Sequence, residues 1–377
     1  MDIFKDHTKT LVVITTETSW NEIPRMRHHV ALQLAKQNNI LFVELDSSKK
    51  KSLNIFSDSI AILNLGGYIR GLNRFYFLKS IFDLYQARKI KNVVDKIDSP
   101  NKVILNFKFD FHQIYFAFSW DLKYYFMNDD FISMSSSSRQ KNHRRKQQYK
   151  TISKSSRIFL SADALASLIE EDNKEISVIY SGHDFEINNS ILIKSNSKPI
   201  LCFMGFIHDN LEFEWLESLA KTNFYEIRLI GPVENPYIKL RFEKFENIKF
   251  YDALVGVELQ HFLQKADAFL MPYKNLQVNT VSSVPAKLFQ YLACGKPIIS
   301  NKLPNLIKLP SYFVYQANSG EDFVNMVSMA LKNDNEDNYK NRILFAAENT
   351  WSKRGEKINE ILVNDLKFIK NTSSDVK

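Results

Sequence analysis

The sequence predicts an α/β protein made of two doubly wound, parallel-sheet domains, and three observations carry that expectation. Short apolar runs alternate with amphipathic helical patterns along almost the whole chain, the order that builds parallel sheets covered by helices on both faces. The alternation breaks in the polar stretch INNSILIKSNSK (187–198), which reads as a linker, and then resumes. The length of 377 residues suits two domains of about 180 residues each.

In the first half the apolar runs LVVITT (11–16), ILFVEL (40–45), IAILNL (60–65), KVILNF (102–107), LKYYFM (122–127), RIFLS (157–161) and ISVIY (176–180) read as strands. Helical patterns lie between them, notably over 24–38, 74–96 and 161–171. The second half repeats the scheme with PILCFMG (199–205), YEIRLIG (225–231), NIKFY (247–251), DAFLMP (267–272) and KPIIS (296–300). Helices are expected there over 210–221, 236–245, 257–265 and 285–294, and Trp351 to Lys370 carries a helical pattern with no strand to serve. These boundaries give a first Rossmann-like domain over 1–186, a linker over 187–198, a second domain over 199–348 and a terminal helical segment over 349–377.

Composition excludes several classes. Hydrophobic residues make up 45% and charged ones 24%, the profile of a soluble globular protein with full cores. No apolar run reaches the roughly 18–20 residues of a membrane span. The charged start MDIFKDHTKT is unlike a signal peptide, so a cytoplasmic protein is expected. With only Cys202 and Cys294, both in apolar stretches, neither a disulfide scaffold nor a cysteine zinc cluster is available. The formal charge is +8, and seven of the Lys and Arg residues fall between Arg139 and Lys154 with no acid among them. That run is a solvated helix face or a contact for an anionic membrane surface. Nucleic acid ranks last, because no interleaved aromatics or finger spacing accompany it.

Open α/β sheets bind ligands beyond the carboxyl ends of their strands. No strand here is followed by G-x-G-x-x-G or a P-loop, and the chain has only ten glycines, so phosphates must be held by side chains and helix ends. VPAKLFQYLACGKPIIS (284–300) offers both. Pro285 suits a first helical position and sets Lys287 in the first turn, a mismatch with the helix dipole of roughly 0.3–1 kcal/mol unless an anion compensates. Ser282 and Ser283 can add hydroxyl donors. Gln290, one turn on, can pair with a ribose diol. The alternative is that both residues are exposed polar positions on an amphipathic helix.

These residues also carry a resemblance. DAFLMPYKNLQVNTVSSVPAKLFQYLACGKPIIS resembles the donor-binding segment of GT-B glycosyltransferases, especially bacterial polysaccharide enzymes of the glycosyl transferase 1/4 type. ETSWNEIPRMRHHVALQLAKQNNILFVE, YYFMNDDF and IFLSADAL…ISVIYSGHDFEI resemble segments of their first domain, and CFMGFIHDN and IRLIGPVENP the opening of the donor domain. WSKRGEKINEIL resembles the final helix that crosses back to the first domain. The resemblance implies two facing Rossmann-like domains. It implies transfer of a sugar from a nucleotide-diphosphate sugar to a glycan or lipid-linked acceptor in surface polysaccharide biosynthesis. Many members carry two glutamates eight residues apart where this chain has Ser282 and Gln290, and the K-x-x-Q arrangement also resembles xanthan-type glucuronosyltransferases.

On that reading the donor set is Gly205, His208, Gly231, Tyr273, Ser282, Ser283, Lys287 and Gln290, although a core tyrosine is the default for Tyr273. Asp129, Asp130 and His112 follow strands of the first domain and are the catalytic candidates, with an acid serving as general base if the enzyme inverts. For Asp129 and Asp130 the competing reading is a turn or cap. Arg25, Arg27, His28 and His29, around a helix start set by Pro24, suit a phosphate on the acceptor. No metal and no cofactor beyond the nucleotide sugar are expected, because helix ends and cations generally offset the leaving-group charge in such enzymes. A sugar-nucleotide epimerase of the same fold and a non-catalytic sugar-nucleotide-binding protein are the alternatives.

Overall fold

A computed structural model describes residues 3–45, 50–67, 71–72, 75–170, 173–187, 198–274, 284–302 and 309–374. The chain divides into two units, Met1–Tyr180 with Trp351–Lys377, and Ser181–Thr350.

The first unit is built on strands β1 (Leu11–Thr16), β2 (Asn39–Glu44), β3 (Ser52–Ser57), β4 (Ile60–Asn64), β5 (Lys102–Asn106), β6 (Leu122–Met127), β7 (Arg157–Leu160) and β8 (Glu175–Val178). They form one sheet in the order β3-β4-β2-β1-β5-β6-β7-β8, parallel throughout except that β3 pairs antiparallel with β4. Strand β3 was not anticipated. Its SLNIFS sequence is mostly exposed at the sheet edge and lacks the apolar run of a buried strand. The helices are α1 (Met26–Leu34), α2 (Tyr76–Val94), α3 (Ile114–Ala117), α4 (Ser138–Lys154) and α11 (Trp351–Ser374). The helix expected over 161–171 is instead a 3-10 turn, Asp163–Leu168.

Alternation along the strands assigns the two faces. Val12 and Ile14 point into a core shared with α1 and α11, whereas Leu11 and Val13 point into one shared with α2 and α3. The α2 to α4 connections all step in the same direction across the sheet, so right-handed crossovers put them together on one face. Gly355 lets α11 meet α1 closely, since a Cβ there would lie 2.3 Å from Cβ of Gln33. His29 stacks on Trp351 at 4.6 Å, and Asn38 donates to Asn359 at 2.8 Å. Farther along α11, Arg157 donates to both oxygens of Asp365 at 2.8 Å, and the Tyr124 hydroxyl donates to the same carboxylate at 2.8 Å.

The second unit has a fully parallel sheet of β9 (Ile200–Met204), β10 (Glu226–Ile230), β11 (Ile248–Tyr251), β12 (Ala268–Met271), β13 (Ile298–Asn301) and β14 (Val314–Ala317), ordered β11-β10-β9-β12-β13-β14. Its helices are α5 (Phe213–Lys221), α6 (Pro236–Phe242), α7 (Gly256–Leu263), α8 (Lys287–Ala293), α9 (Gly320–Asn333) and α10 (Glu336–Ala347). Strand β14 and helices α9 and α10 lie beyond the elements read from the sequence. Residues 181–186 belong to this unit: Nε2 of His183 donates to the Ala346 carbonyl at 2.9 Å, and Phe185 joins the core around Tyr291.

Asp365 is the main polar tie between α11 and the sheet. Replacing it by Ala takes two hydrogen bonds from a mostly buried guanidinium, leaving it Ser177 and Glu175, and removes the acceptor of the Tyr124 hydroxyl. Asp365→Ala should therefore lower the stability of the first unit by about 1.5–3 kcal/mol. Urea unfolding measures this, and adding Arg157→Ala should cost far less than the two single losses together.

Candidate functional site

In the second unit Gly205, Gly231, Lys287 and Tyr273, four of the residues singled out from the sequence, meet at the carboxyl ends of β9 and β10. Gly205 and Gly231 follow these strands, each with φ of +132°, a region that favours glycine. A Cβ on Gly231 would lie 2.3 Å from the Gly205 carbonyl oxygen, and one on Gly205 would lie 2.6 Å from Nζ of Lys287. The two glycines thus let the strand ends touch and bring a lysine ammonium against bare backbone. Tyr291 fixes that arrangement. Its ring stacks on Phe269 at 4.1 Å, and its hydroxyl accepts the Met204 amide at 2.7 Å. Lys287 stands four residues earlier on α8, one turn along the same face.

The surroundings of this ammonium are aromatic. Nζ lies 4.1 Å from the centre of the Phe203 ring and 5.2 Å from that of Tyr273. No carboxylate or hydrogen-bond acceptor among the described residues pairs with it, and burial pushes its pKa down to about 7. Helix α8 opens at Lys287 itself, two residues later than the sequence suggested, and has only seven residues. Pro285 lies outside it and accepts the Leu288 amide through its carbonyl. The lysine charge, more than the helix end, is therefore the feature an anion would meet.

The loop after β9 is tied down beside it. The Glu212 amide donates to the Pro272 carbonyl at 2.7 Å, and the Lys274 amide to that of Asn210 at 2.7 Å. This loop carries His208, half-buried with its ring near Phe206. Tyr273 packs on both cores of the unit, as the default reading had it, and burial raises the pKa of its hydroxyl. Gln290 is half-buried. Ser282 and Ser283 lie outside the described residues.

In the first unit a cavity of about 630 Å³ opens at the carboxyl ends of β1, β5 and β6. Arg27, Lys79, Lys108, Asp110, Asp129 and Arg144 are among its lining. Most of its cations are paired. Lys79 meets Asp83 at 2.6 Å and Asp110 at 3.0 Å, and Lys108 meets Glu17 at 2.7 Å. Burial opposes the charge on Asp110, but Lys108 and Lys79 outweigh it and hold its carboxyl below the ordinary value. Arg144 donates to the Phe131 carbonyl at 2.6 Å. Arg27 donates to the Thr16 hydroxyl at 3.3 Å, and burial, helped by Arg25, lowers its pKa to about 10. Among the described residues, Nε of Arg27 and Oδ1 of Asn128 find no hydrogen-bond partner, although both are buried.

Of the catalytic candidates, only Asp129 lines this cavity. Burial raises its pKa, the Asp130 amide donating to its Oδ1 at 2.9 Å lowers it, and the neighbouring charge of Asp130 raises it again. Asp130 is buried and accepts the Ser133 amide at 2.9 Å, which makes it a turn cap. His112 does not line the cavity; burial, with Lys150 adding, lowers its pKa to about 4. In the acceptor set, Arg25 and Arg27 line the cavity, but the two histidines do not. His28 is buried: Nδ1 accepts the Arg25 amide at 3.0 Å, Nε2 donates to the Ser19 carbonyl at 3.0 Å, and the ring stacks on Phe42. That is a helix cap, with no nitrogen left for a ligand. His29 faces Trp351 of α11.

Sequence reasoning missed Lys79, Lys108 and Asp110. The signal for the last two was the charged pair in FKFD, directly after an apolar strand.

Residues 213–360 match a family model described as "Glycosyl transferase-like". The "Putative teichuronic acid biosynthesis glycosyltransferase TuaH" of Bacillus subtilis (strain 168) is 22% identical over 206 residues, covering 50% of this chain and 52% of that protein. The chain therefore spans about half the length of this curated relative. Sucrose-phosphate synthase from Thermosynechococcus elongatus superposes with a TM-score of 0.71 at 10% identity, over 94% of this chain and 98% of its own. The trehalose-6-phosphate structure from E. coli bound with UDP-2-fluoro glucose gives 0.69 at 9% identity, over 95% and 99%. The fold is GT-B.

Within this GT-B framework, Lys287 predicts a pH dependence. An anion favours its protonated form, so nucleoside-diphosphate affinity should fall by up to about tenfold per pH unit from about pH 7.5 upward. Calorimetric titration with UDP at several pH values measures this slope, which Lys287→Met should flatten. The folded pKa lies below the ordinary lysine value of 10.5, so the unfolded chain binds more protons between the two. Stability should accordingly rise with pH across that window.

Proposed function

We propose that the protein is a glycosyltransferase, moving a sugar from a nucleotide-diphosphate sugar to a glycan or lipid-linked acceptor in surface polysaccharide synthesis. The observation that carries this reading is the Lys287 ammonium, without an acid partner among the described residues, at the glycine-bounded ends of β9 and β10. The leaving nucleoside diphosphate gains negative charge as the glycosidic bond breaks, and a fixed, desolvated cation offsets charge more strongly than an exposed one. Gln290 takes the ribose, and His208 the sugar or phosphate from the loop after β9.

The first-unit cavity suits the acceptor. Arg25 and Arg27 at its wall favour a phosphate or carboxylate on that substrate, and Asp129 is the group placed to accept a proton from its hydroxyl. A raised pKa keeps Asp129 a stronger base than an exposed carboxylate. With charge stabilisation assigned to Lys287, the reaction needs neither metal nor cofactor. Anionic lipid at the inner face of the cell membrane is the surface that the basic α4 would meet, and among the described residues no helix is long and apolar enough to cross a membrane.

The direct test incubates the full chain with a panel of nucleotide sugars and lipid-phosphate or oligosaccharide acceptors, and follows nucleoside-diphosphate release. Acceptor-dependent release that survives excess EDTA is expected. Loss on chelation with rescue by magnesium or manganese would overturn metal independence. Product formed from the nucleotide sugar alone would point to the epimerase. Asp129→Asn should lower transfer by about 10²–10⁴-fold while UDP binding stays at the wild-type level.

A further inference from the structure

Helix α2 is inverted over its first three turns. The residues it turns inward are Lys79, Asp83 and Gln86, held by the ion pairs of Lys79 with Asp83 and Asp110. The residues it turns to solvent are large and apolar: Phe77 is 77% exposed, Tyr85 53%, Ile81 52% and Leu78 51%. A spacing of 77, 78, 81 and 85 makes them one stripe. Ordinary single exposed hydrophobics need no explanation, but a helix that buries its charges and presents its apolar face has a covered surface in its working state.

Neighbouring elements define what covers it. Helices α2, α3 and α4 lie on the same sheet face. The side chain of Gln113 beside α3 donates to the Ser80 hydroxyl of α2 at 3.2 Å, and His143 of α4 stacks on Tyr76 of α2. Phe116 of α3 is exposed, with Lys154 of α4 over its ring. The outer face of α4 carries Arg139, Lys141, Arg145, Lys146, Lys150 and Lys154, all exposed, and Arg88 is exposed on α2. Asp83 is the only carboxylate on either helix, and it is buried. Among the described residues, the one ion pair made by an α4 cation is that of Arg145 with Glu170, at 3.9 Å.

We propose that this face is a membrane-docking surface. The α2 stripe enters the acyl boundary of an anionic bilayer, and the α4 cations hold the phosphate headgroups. Charge decides between this occupant and a second copy of the chain. A two-fold contact would set the same cationic face against itself, whereas anionic lipid complements it. Apolar insertion combined with a basic rim is the pattern of a helix lying in the interface plane. The arrangement deepens the proposed role with lipid-linked acceptors, because Tyr76 and Lys79 of α2 and Gln140, His143 and Arg144 of α4 line the cavity assigned to the acceptor.

The test uses the full chain without donor or acceptor, so its result stands apart from whether the protein transfers sugar. Co-sedimentation is measured with phosphatidylglycerol–phosphatidylcholine vesicles and with phosphatidylcholine alone, at low and at high salt. Wild type should bind the anionic vesicles, with a salt-sensitive part supplied by cations worth roughly fivefold each near the surface. The triple variant Phe77→Ser, Leu78→Ser, Ile81→Ser should keep the salt-sensitive part and lose at least about tenfold of the remainder. The quadruple variant Arg139→Ser, Lys141→Ser, Arg145→Ser, Lys146→Ser should do the opposite. Phe77→Trp, a change at an exposed position, should show a blue-shifted emission on adding anionic vesicles. No shift, or no binding by wild type at low salt, would overturn the proposal. So would a wild-type dimer in sedimentation that the triple variant converts to monomer while vesicle binding stays unchanged.

Discussion

A parallel sheet has two faces that both need cover, and in the first unit that requirement arranges nearly everything else. One α-helix connects β1 to β2, too little to cover an eight-stranded sheet, and α11 supplies the missing cover from the far end of the sequence. Its attachment is polar where it crosses β6 and β7, through Tyr124, Arg157 and Asp365. It is apolar where Trp351, Ile358 and Leu362 enter the core with Val12 and Ile14. Gly355 and Gln33 bring the two covering helices close enough for both to touch the strands. On the opposite face, α2 packs by Ala87, Ile90 and Val94 and then runs out over the strand ends. There its inner neighbours are a polar cavity and not a core. The inversion of its first turns follows: Lys79 and Asp83 point to where the charges are, which leaves the apolar residues outside.

The same strand-end geometry gives the second unit a different electrostatic character. In the first-unit cavity Lys79 and Lys108 are buried beside Asp83, Asp110 and Glu17, so their charge is largely compensated by the protein itself. Burial still pushes Asp83 up to about 6, against the pull of Lys79. Among the described residues Lys287 has no such acid. Its neighbours are two aromatic faces and the backbone of Gly205. Cation–π contact recovers part of the lost hydration, on the order of 0.5–2 kcal/mol, which is less than burying an ammonium costs. The fold holds a destabilised group in place because Tyr291, one turn on, is locked by Phe269 and Met204.

Much of this was legible in the sequence, for identifiable reasons. Strands buried on both faces are apolar throughout, so LVVITT, KVILNF and DAFLMP announced themselves, whereas the exposed edge SLNIFS had no such run. Lys287 stood out because a cation in the first turn of a helix is electrostatically wrong unless something else is there. His28 and Asp130 misled for a common reason. Residues that follow a strand are equally placed to face a ligand or to cap the next turn, and the choice depends on which backbone amide is nearby. Arg27 and Asp129 adjoin them in sequence and face the cavity instead. Lys79 was invisible as a site residue. Within YFLKSIFDLYQ a lone lysine reads as the solvent side of a helix, and the Asp110 side chain, brought in from the loop after β5, joins Asp83 in drawing it inward.

The low pKa of Lys287 has a consequence for the proposed chemistry. Burial alone sets it at about 7, and an adjacent anion can only raise it. A diphosphate arriving there near neutral pH would draw a proton onto the lysine, so binding and charging become one event. Each unit of negative charge that develops on the leaving oxygen would hold that proton more firmly. An arginine in the same place would be charged at all times. A lysine in the proposed role would therefore couple its own charge to the anion it meets, which a permanently ionised group could not do.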